Sequence, residues 1–184
     1  MSDRTVPAAD HAALVALLRE TLARHGDAEQ LWTASVPPGA AAGTVDPEVP
    51  GPVAALLELT DGPWFNGSSR LFESDHLVWR QEIRENLVGA ALPGGGTLAD
   101  ASHLYYFGEV YDNPLLYDRT DGSVWRVPEE GYVWYTGCRL ERIADGFGEF
   151  FTEWVASPRY LDLVQDLPDE PDDWYRLLRL AGLA

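Results

Sequence analysis

The chain has 184 residues, a length at which a single hydrophobic core is well filled, and its seven tryptophans, eight tyrosines and six phenylalanines supply that core with large apolar side chains. Its basic residues are 13 arginines and no lysine, set against 30 acids for a net charge of −17, a balance that excludes nucleic acid and anionic membrane surfaces as direct partners. The missing lysine also removes Schiff-base chemistry, a Walker-type phosphate loop and a lysine general base.

In chain order, Met1 to Asp10 is polar and lacks the pattern of a secretory leader, and no window is apolar for long enough to cross a bilayer, so a cytoplasmic protein is expected. The first helix is predicted over Ala8 to His25, with Leu14, Leu18 and Leu22 at helical spacing, Leu17 widening the stripe and Gly26 ending it. Prolines and glycines from Val36 to Pro52 make a surface connector. The segment VAALLELTDGPWF, Val53 to Phe65, reads as a second helix burying Leu56, Leu57 and Leu59. Thr60, Asp61 and Gly62 stop it, Gly62 in the left-handed conformation, and Trp64 and Phe65 pin the turn against a sheet. Asn66-Gly67-Ser68 reads as a turn.

A third helix is predicted from Asp75 to Leu87, capped by Ser74, with Leu77, Ile83 and Leu87 facing inward; Gly94-Gly95-Gly96 follows as a loop. Leu104 to Phe107, Leu115 to Asp118, Val124 to Val127 and Tyr132 to Thr136 are short aromatic and β-branched runs that form an antiparallel meander. Arg119-Thr120-Asp121-Gly122 supplies the Asp-Gly pair of a tight hairpin. In GFGEFFTEWV, Gly146 to Val155, Phe147, Phe150, Phe151 and Trp154 follow the i, i+3, i+4, i+7 rule and should lie on the sheet. Past Ser157 come a short helical piece at Tyr160 to Val164, an acidic link, and a final helix with Trp174, Leu177, Leu178 and Ala181 on one face. Asp172 and Asp173 either cap that helix or join Asp166, Asp169 and Glu170 in a negative patch that meets a basic partner.

The order of helix, Thr-Asp-Gly-Pro, sheet with LLYDRTDGSVWRV, then an aromatic amphipathic helix resembles the SUKH superfamily, which includes eukaryotic cell-wall-synthesis regulators and many bacterial immunity proteins of polymorphic toxin systems. The resemblance covers roughly Leu14 to Val155 and rests on Thr60, Asp61, Gly62, Trp64, Asp121 and Gly122. It implies a single α+β domain that works by binding and transfers no catalytic residue. Residues 1–155 would form that domain and 156–184 a helical extension packed on it.

Searching for enzyme chemistry leaves little. His11, His25, His76 and His103 stand singly without a second ligand at helical or hairpin spacing, and a lone cysteine, Cys138, has no adjacent base; neither a metal nor another cofactor is expected. Glu109 with Asp118 could be drawn as an acid–base pair, but spacing gives it no support, and Asp112, Asp118 and Asp121 lack the periodicity of a calcium loop. The expected role is therefore that of an immunity protein that binds a basic toxin domain, with Glu109, Tyr111, Asp112, Asp118 and Trp125 on the exposed side of the meander as candidate contacts. A cytoplasmic adaptor of the same fold, and a small-molecule binder or hydrolase with a pocket lined by Trp64, Tyr106 and Trp134, remain as alternatives.

Overall fold

The structure, a computed structural model, describes residues 8–128, 137–164 and 171–184. The run Tyr132 to Thr136 and the acids Asp166, Asp169 and Glu170 lie outside the described residues. What is described is an α+β domain. Six strands form one antiparallel sheet in simple sequence order: β1 (Trp64–Asn66), β2 (Ser69–Leu71), β3 (Leu104–Val110), β4 (Asn113–Asp118), β5 (Val124–Arg126) and β6 (Glu141–Ala144).

Helix α1 spans Ala8–His25. Leu18 is fully buried and Leu14 and Leu22 are half-buried, as their spacing predicts, but Leu17 is 38 % exposed and Val15 takes the inward place at 2 %. The apolar stripe thus runs through positions 15, 18 and 22 instead of widening through 17. Helix α2 (Gly51–Leu57) buries Val53, Leu56 and Leu57 and ends before the Thr-Asp-Gly sequence. Gly62 has φ +77°, but it stands in the turn that follows the helix and not at its cap. Asp61 secures that turn: its carboxylate accepts bonds from the Ser74 N–H at 2.7 Å and the Ser74 hydroxyl at 3.0 Å, so Ser74 is not free to cap a helix of its own. Trp64 and Phe65 are themselves the first strand, Phe65 fully buried and Trp64 half-buried.

The β3–β4 hairpin turns on Tyr111 and Asp112, at φ +48° and +65°, between the paired residues Val110 and Asn113. Two left-handed residues are what a two-residue hairpin needs, a demand usually met by Asn-Gly, and a tyrosine there is conformationally costly. The β4–β5 connection is the expected one. Gly122 has φ +82°, its N–H donates to the Asp118 carbonyl at 2.9 Å, and Asp121 accepts from the Ser123 N–H at 2.9 Å. Strand β6 was not signalled in the sequence; it pairs antiparallel with β5.

Between Ser74 and Gly89 the sequence periodicity misleads. The predicted α-helix is instead a 3₁₀ helix of nine residues, Trp79–Leu87, with no side-chain cap. Its neighbour explains the difference. β2 is so short that it pairs only with Gly108, Glu109 and Val110 of β3, leaving the first half of β3 as an open edge. The Gln81 amide covers that edge by donating to the Tyr106 carbonyl at 2.8 Å and accepting from the Tyr106 N–H at 2.9 Å, and an Arg84 guanidinium N–H donates to the Leu104 carbonyl at 3.4 Å. In a 3₁₀ helix residues three apart share a face, so Gln81, Arg84 and Leu87 all point at the sheet.

On one sheet face Phe107 meets Phe147 and Phe150 edge-on, with ring centroids 5.2 and 5.5 Å apart. These belong to a helix that starts as α3 (Phe147–Glu149) and widens into a π-helical stretch, Phe150–Val155, closed by the Ala156 N–H donating to the Phe151 carbonyl at 2.9 Å. Phe147, Phe150, Phe151, Trp154 and Val155 are all buried, the i, i+3, i+4, i+7, i+8 face that the spacing predicts. Where this helix and α2 meet the sheet, Val53, Leu56, Thr60, Leu71, Phe72, Phe107 and Phe147 line a cavity of about 10 Å³, on the scale of one water and far below what a metabolite occupies.

The C-terminal residues pack against β1. After α4 (Tyr160–Leu163), helix α5 (Asp173–Leu180) inserts Trp174 between Phe65, at 4.8 Å, and the Val155 carbonyl, which accepts from the indole N–H at 2.8 Å. Asp172 caps α5 by accepting from the Tyr175 N–H at 2.9 Å, and its other oxygen accepts from the Tyr160 hydroxyl at 2.5 Å and the Asn66 amide at 2.9 Å. Asp173 accepts from the Thr33 N–H and hydroxyl at 2.8 and 2.7 Å. Both acids therefore serve the capping and anchoring role.

Three phenols are held protonated inside this framework. Burial pushes Tyr105 up to about 12, and it pushes Tyr106 and Tyr160 up as well, reinforced by the carboxylates of Glu109 and Asp172 beside them. A phenol raised in the folded state, against about 10 when unfolded, contributes its stability in full below pH 10 and loses it as pH climbs towards the folded value. The urea midpoint should therefore hold steady from about pH 8 to about pH 9.5 and fall steeply by about pH 11.5. Tyr105→Phe removes a hydroxyl that has no hydrogen-bond partner among the described residues and should make that fall shallower.

Candidate interaction site

A bulge in β3 builds the most organised polar cluster of the described residues. Tyr106 pairs with Leu116 and Gly108 with Leu115, so Phe107 is an extra residue and the alternation of side chains resets by one. Tyr106 and Glu109, three apart, thereby share the sheet face opposite Phe107. On that face Trp64, Arg70 and Glu109 are cross-strand neighbours on β1, β2 and β3. The Arg70 guanidinium lies 4.3 Å from the Trp64 ring centre and its Nε–H donates to Glu109 at 2.9 Å. The Tyr106 hydroxyl donates to the other Glu109 oxygen at 3.2 Å, and Arg80 Nη1 approaches that oxygen at 3.9 Å while stacking over Phe72 at 4.0 Å. The Arg70, Arg80 and Glu109 side chains are 19, 16 and 12 % exposed, so this ionic clasp is mostly withdrawn from water.

Chemically the clasp is a fastener. Both Glu109 oxygens are engaged by the protein's own cations and a phenol, and the arrangement ties the 3₁₀ helix to the sheet. The other candidate contacts fall elsewhere. Tyr111 and Asp112 form the hairpin tip next to Glu109, both half-buried. Asp118 sits at the far end of β4, about 17 Å along the strand. It is only 8 % exposed, contrary to the exposed position expected, because its carboxylate accepts from the Thr120 N–H and hydroxyl at 2.7 and 2.6 Å. Trp125 is half-buried on β5 and donates its indole N–H to Ser123 at 2.7 Å. The structure thus brings Glu109, Tyr111 and Asp112 together and keeps Asp118 and Trp125 apart from them.

The residues that carry the family resemblance have structural duties. Thr60 is 1 % exposed beside the small cavity, Asp61 and Gly62 shape the turn, Trp64 stacks on Arg70, and Asp121 and Gly122 close the hairpin. Of the pocket residues proposed from sequence, Trp64 and Tyr106 lie within the clasp and Trp134 is outside the described residues.

His76 does have acidic neighbours, unlike the solitary residue expected: Glu73, Asp75 and His76 place one ligand atom each within 4.8 Å of one another. All three sit on one exposed turn. The Glu73 carboxylate accepts from His76 Nδ1–H at 2.7 Å, and the imidazole meets Trp79 edge-on at 5.9 Å. Trp79 is 59 % exposed, and sequence reasoning passed over it because an α-helical reading gave it no special place.

No family model matches the chain, and no match was found among curated proteins or solved structures. Among the described residues no helix is long and apolar enough to cross a membrane.

Proposed function

We propose that the protein acts by binding a basic protein partner, and that the partner is the toxin domain of a polymorphic toxin system, neutralised in the manner of the SUKH-like immunity proteins that the sequence resembles. One observation carries the reading: acids outnumber arginines by 30 to 13, and several of those arginines, Arg19, Arg70, Arg80 and Arg126 among them, are withdrawn into bonds within the protein, so negative charge dominates what is left to solvent. Arg19 donates to the carbonyls of Val36, Pro37 and Leu59; Arg70 and Arg80 serve Glu109; Arg119 donates to the Glu48 carbonyl; Arg126 donates to Glu141 and to the Asp162 and Leu163 carbonyls. Acids such as Asp75 and Asp145, with side chains 79 and 87 % exposed, stand at the surface of a chain that carries −17 overall. A toxin domain that grips phosphates presents a positive cleft, and such a surface draws an acidic partner to it and slows the wrong ones.

Co-expression tests this directly. A toxin domain is expected in the adjacent open reading frame, and cells producing it should stop growing and be rescued by this protein at equal expression; a harmless neighbour, or growth arrest that persists beside abundant folded protein, would contradict the assignment.

A further inference from the structure

The 3₁₀ helix that closes the β3 edge also exposes one row of side chains. Residues three apart coincide on such a helix, and the burial follows this rule: Gln81, Arg84 and Leu87 face the sheet, whereas Trp79, Glu82, Glu85 and the following Val88 are all exposed. Trp79 and Val88 are 59 and 53 % exposed. The Glu82 and Glu85 carboxylates have neither an ion pair nor a hydrogen-bond partner among the described residues, although Arg80 and Arg84 neighbour them in sequence, because those arginines are committed to Glu109 and Leu104. The result is a ridge about 18 Å long with two unpaired carboxylates about 6 Å apart and an apolar side chain at each end.

Trp79 is fixed in place from behind. The Arg80 guanidinium lies 4.9 Å from its ring centre and is itself sandwiched against Phe72, and His76 meets the indole edge-on. An exposed aromatic already held in one orientation loses little freedom on binding, which is the property of an interface anchor. Trp32 makes the contrast: it is 76 % exposed, and no ring contact or hydrogen bond of its side chain is found among the described residues. A 3₁₀ run of nine residues is itself long for this conformation, and only this conformation puts the four side chains in line.

We infer that this ridge is the surface that receives the partner, and that its complement is a basic α-helix. Cationic side chains at i and i+4 on an α-helix are about 6 Å apart, matching Glu82 and Glu85, and an arginine or lysine one turn further reaches the Trp79 ring. The inference rests on the binding function proposed above and names where and how the partner is held.

The test uses the full chain, isotopically labelled, titrated at low salt with an alanine-rich helical peptide of about 17 residues carrying arginines at i, i+4 and i+8. An isomer of the same composition with its arginines at i, i+2 and i+4 serves as the comparison. Amide shifts should concentrate on residues 78–88, and the spaced peptide should bind roughly tenfold tighter than the isomer. Trp79→Ala, and separately the pair Glu82→Gln with Glu85→Gln, should each remove most of that affinity, while Trp32→Ala leaves it unchanged. Equal affinity for the two peptides, shifts centred on another face, or a Trp79→Ala variant that behaves like Trp32→Ala would overturn the assignment. Growth rescue reports on the toxin reading separately. Rescue that survives Trp79→Ala would reject the ridge and keep the function; a failed rescue with peptide binding at residues 78–88 would do the reverse.

Discussion

Gly39→Ala is expected to lower the thermal unfolding midpoint by about 10 °C or more, since it makes the tightest Cβ contact of any glycine among the described residues. The connector between α1 and α2 runs against the C-terminal end of α2, where the Ala40 N–H donates to the Leu57 carbonyl at 2.8 Å and the Asp61 N–H donates to the Pro38 carbonyl at 3.0 Å. These two bonds hold the Gly39 backbone so close that an added Cβ would lie 1.9 Å from the Glu58 carbonyl oxygen and 2.5 Å from its carbon. Both obstacles are backbone, so no rotamer change relieves the clash, and the connector must lift away from α2. Gly67→Ala is the matched control: the residue is exposed, its φ is not positive, and nothing beyond its chain neighbours lies within 4 Å of the Cβ it would add. It should change stability by no more than about 0.5 kcal/mol. Differential scanning calorimetry of the two variants decides the matter, and a Gly39→Ala protein as stable as the parent would show that the connector does not pack as described.

Trp174→Ala should cost about 3–5 kcal/mol and release α5 from the domain. The side chain is 1 % exposed, its ring is tilted against Phe65, and its indole N–H supplies the bond to the Val155 carbonyl at the end of the π-helical stretch. Removing it opens a cavity at the point where the first strand, the aromatic helix and the C-terminal helix meet, and leaves a buried carbonyl without its donor. Leu177 and Leu178, both fully buried, would lose their support in the same step. Hydrogen exchange should report the change as fast amides throughout 173–180. Leu180→Ala, at a position 40 % exposed on the same helix, should change stability by no more than about 0.5 kcal/mol. Comparable losses from both substitutions would mean that α5 is held by something other than its tryptophan.

Elements whose signal is local were legible in the amino-acid order. Asp121-Gly122 specified its hairpin through backbone chemistry, Asp172 its helix cap, and Phe147, Phe150, Phe151 and Trp154 their burial through spacing alone. Elements decided by a distant neighbour were not. Residues 75–87 carry helix-forming side chains at near-helical spacing, and what converts them to a 3₁₀ helix is an unpaired β3 edge that exists because β2 has only three residues. The Tyr111–Asp112 turn lacks glycine or asparagine, so the hairpin that β3 and β4 force upon it leaves no local trace. The same holds for the interaction site. Glu109 reads from sequence as an exposed contact, whereas its side chain is only 12 % exposed, because a bulge at Phe107 shifts it onto the face of Tyr106 among cations and aromatics, and that bulge is set by the register of three strands. The Trp79 row became visible only once the helix type was known.

The central claim is that this protein works by presenting negative potential and a fixed aromatic anchor to a positively charged partner. The most direct measurement is the association rate constant with the proposed toxin partner, followed by stopped flow as ionic strength rises from about 20 mM to about 500 mM, where the screening length shrinks from roughly 20 Å to under 5 Å. The rate should fall by about a hundredfold or more over that range while dissociation changes little, since long-range attraction governs encounter and short-range packing governs release. An association rate that stays level across the whole range would contradict the claim.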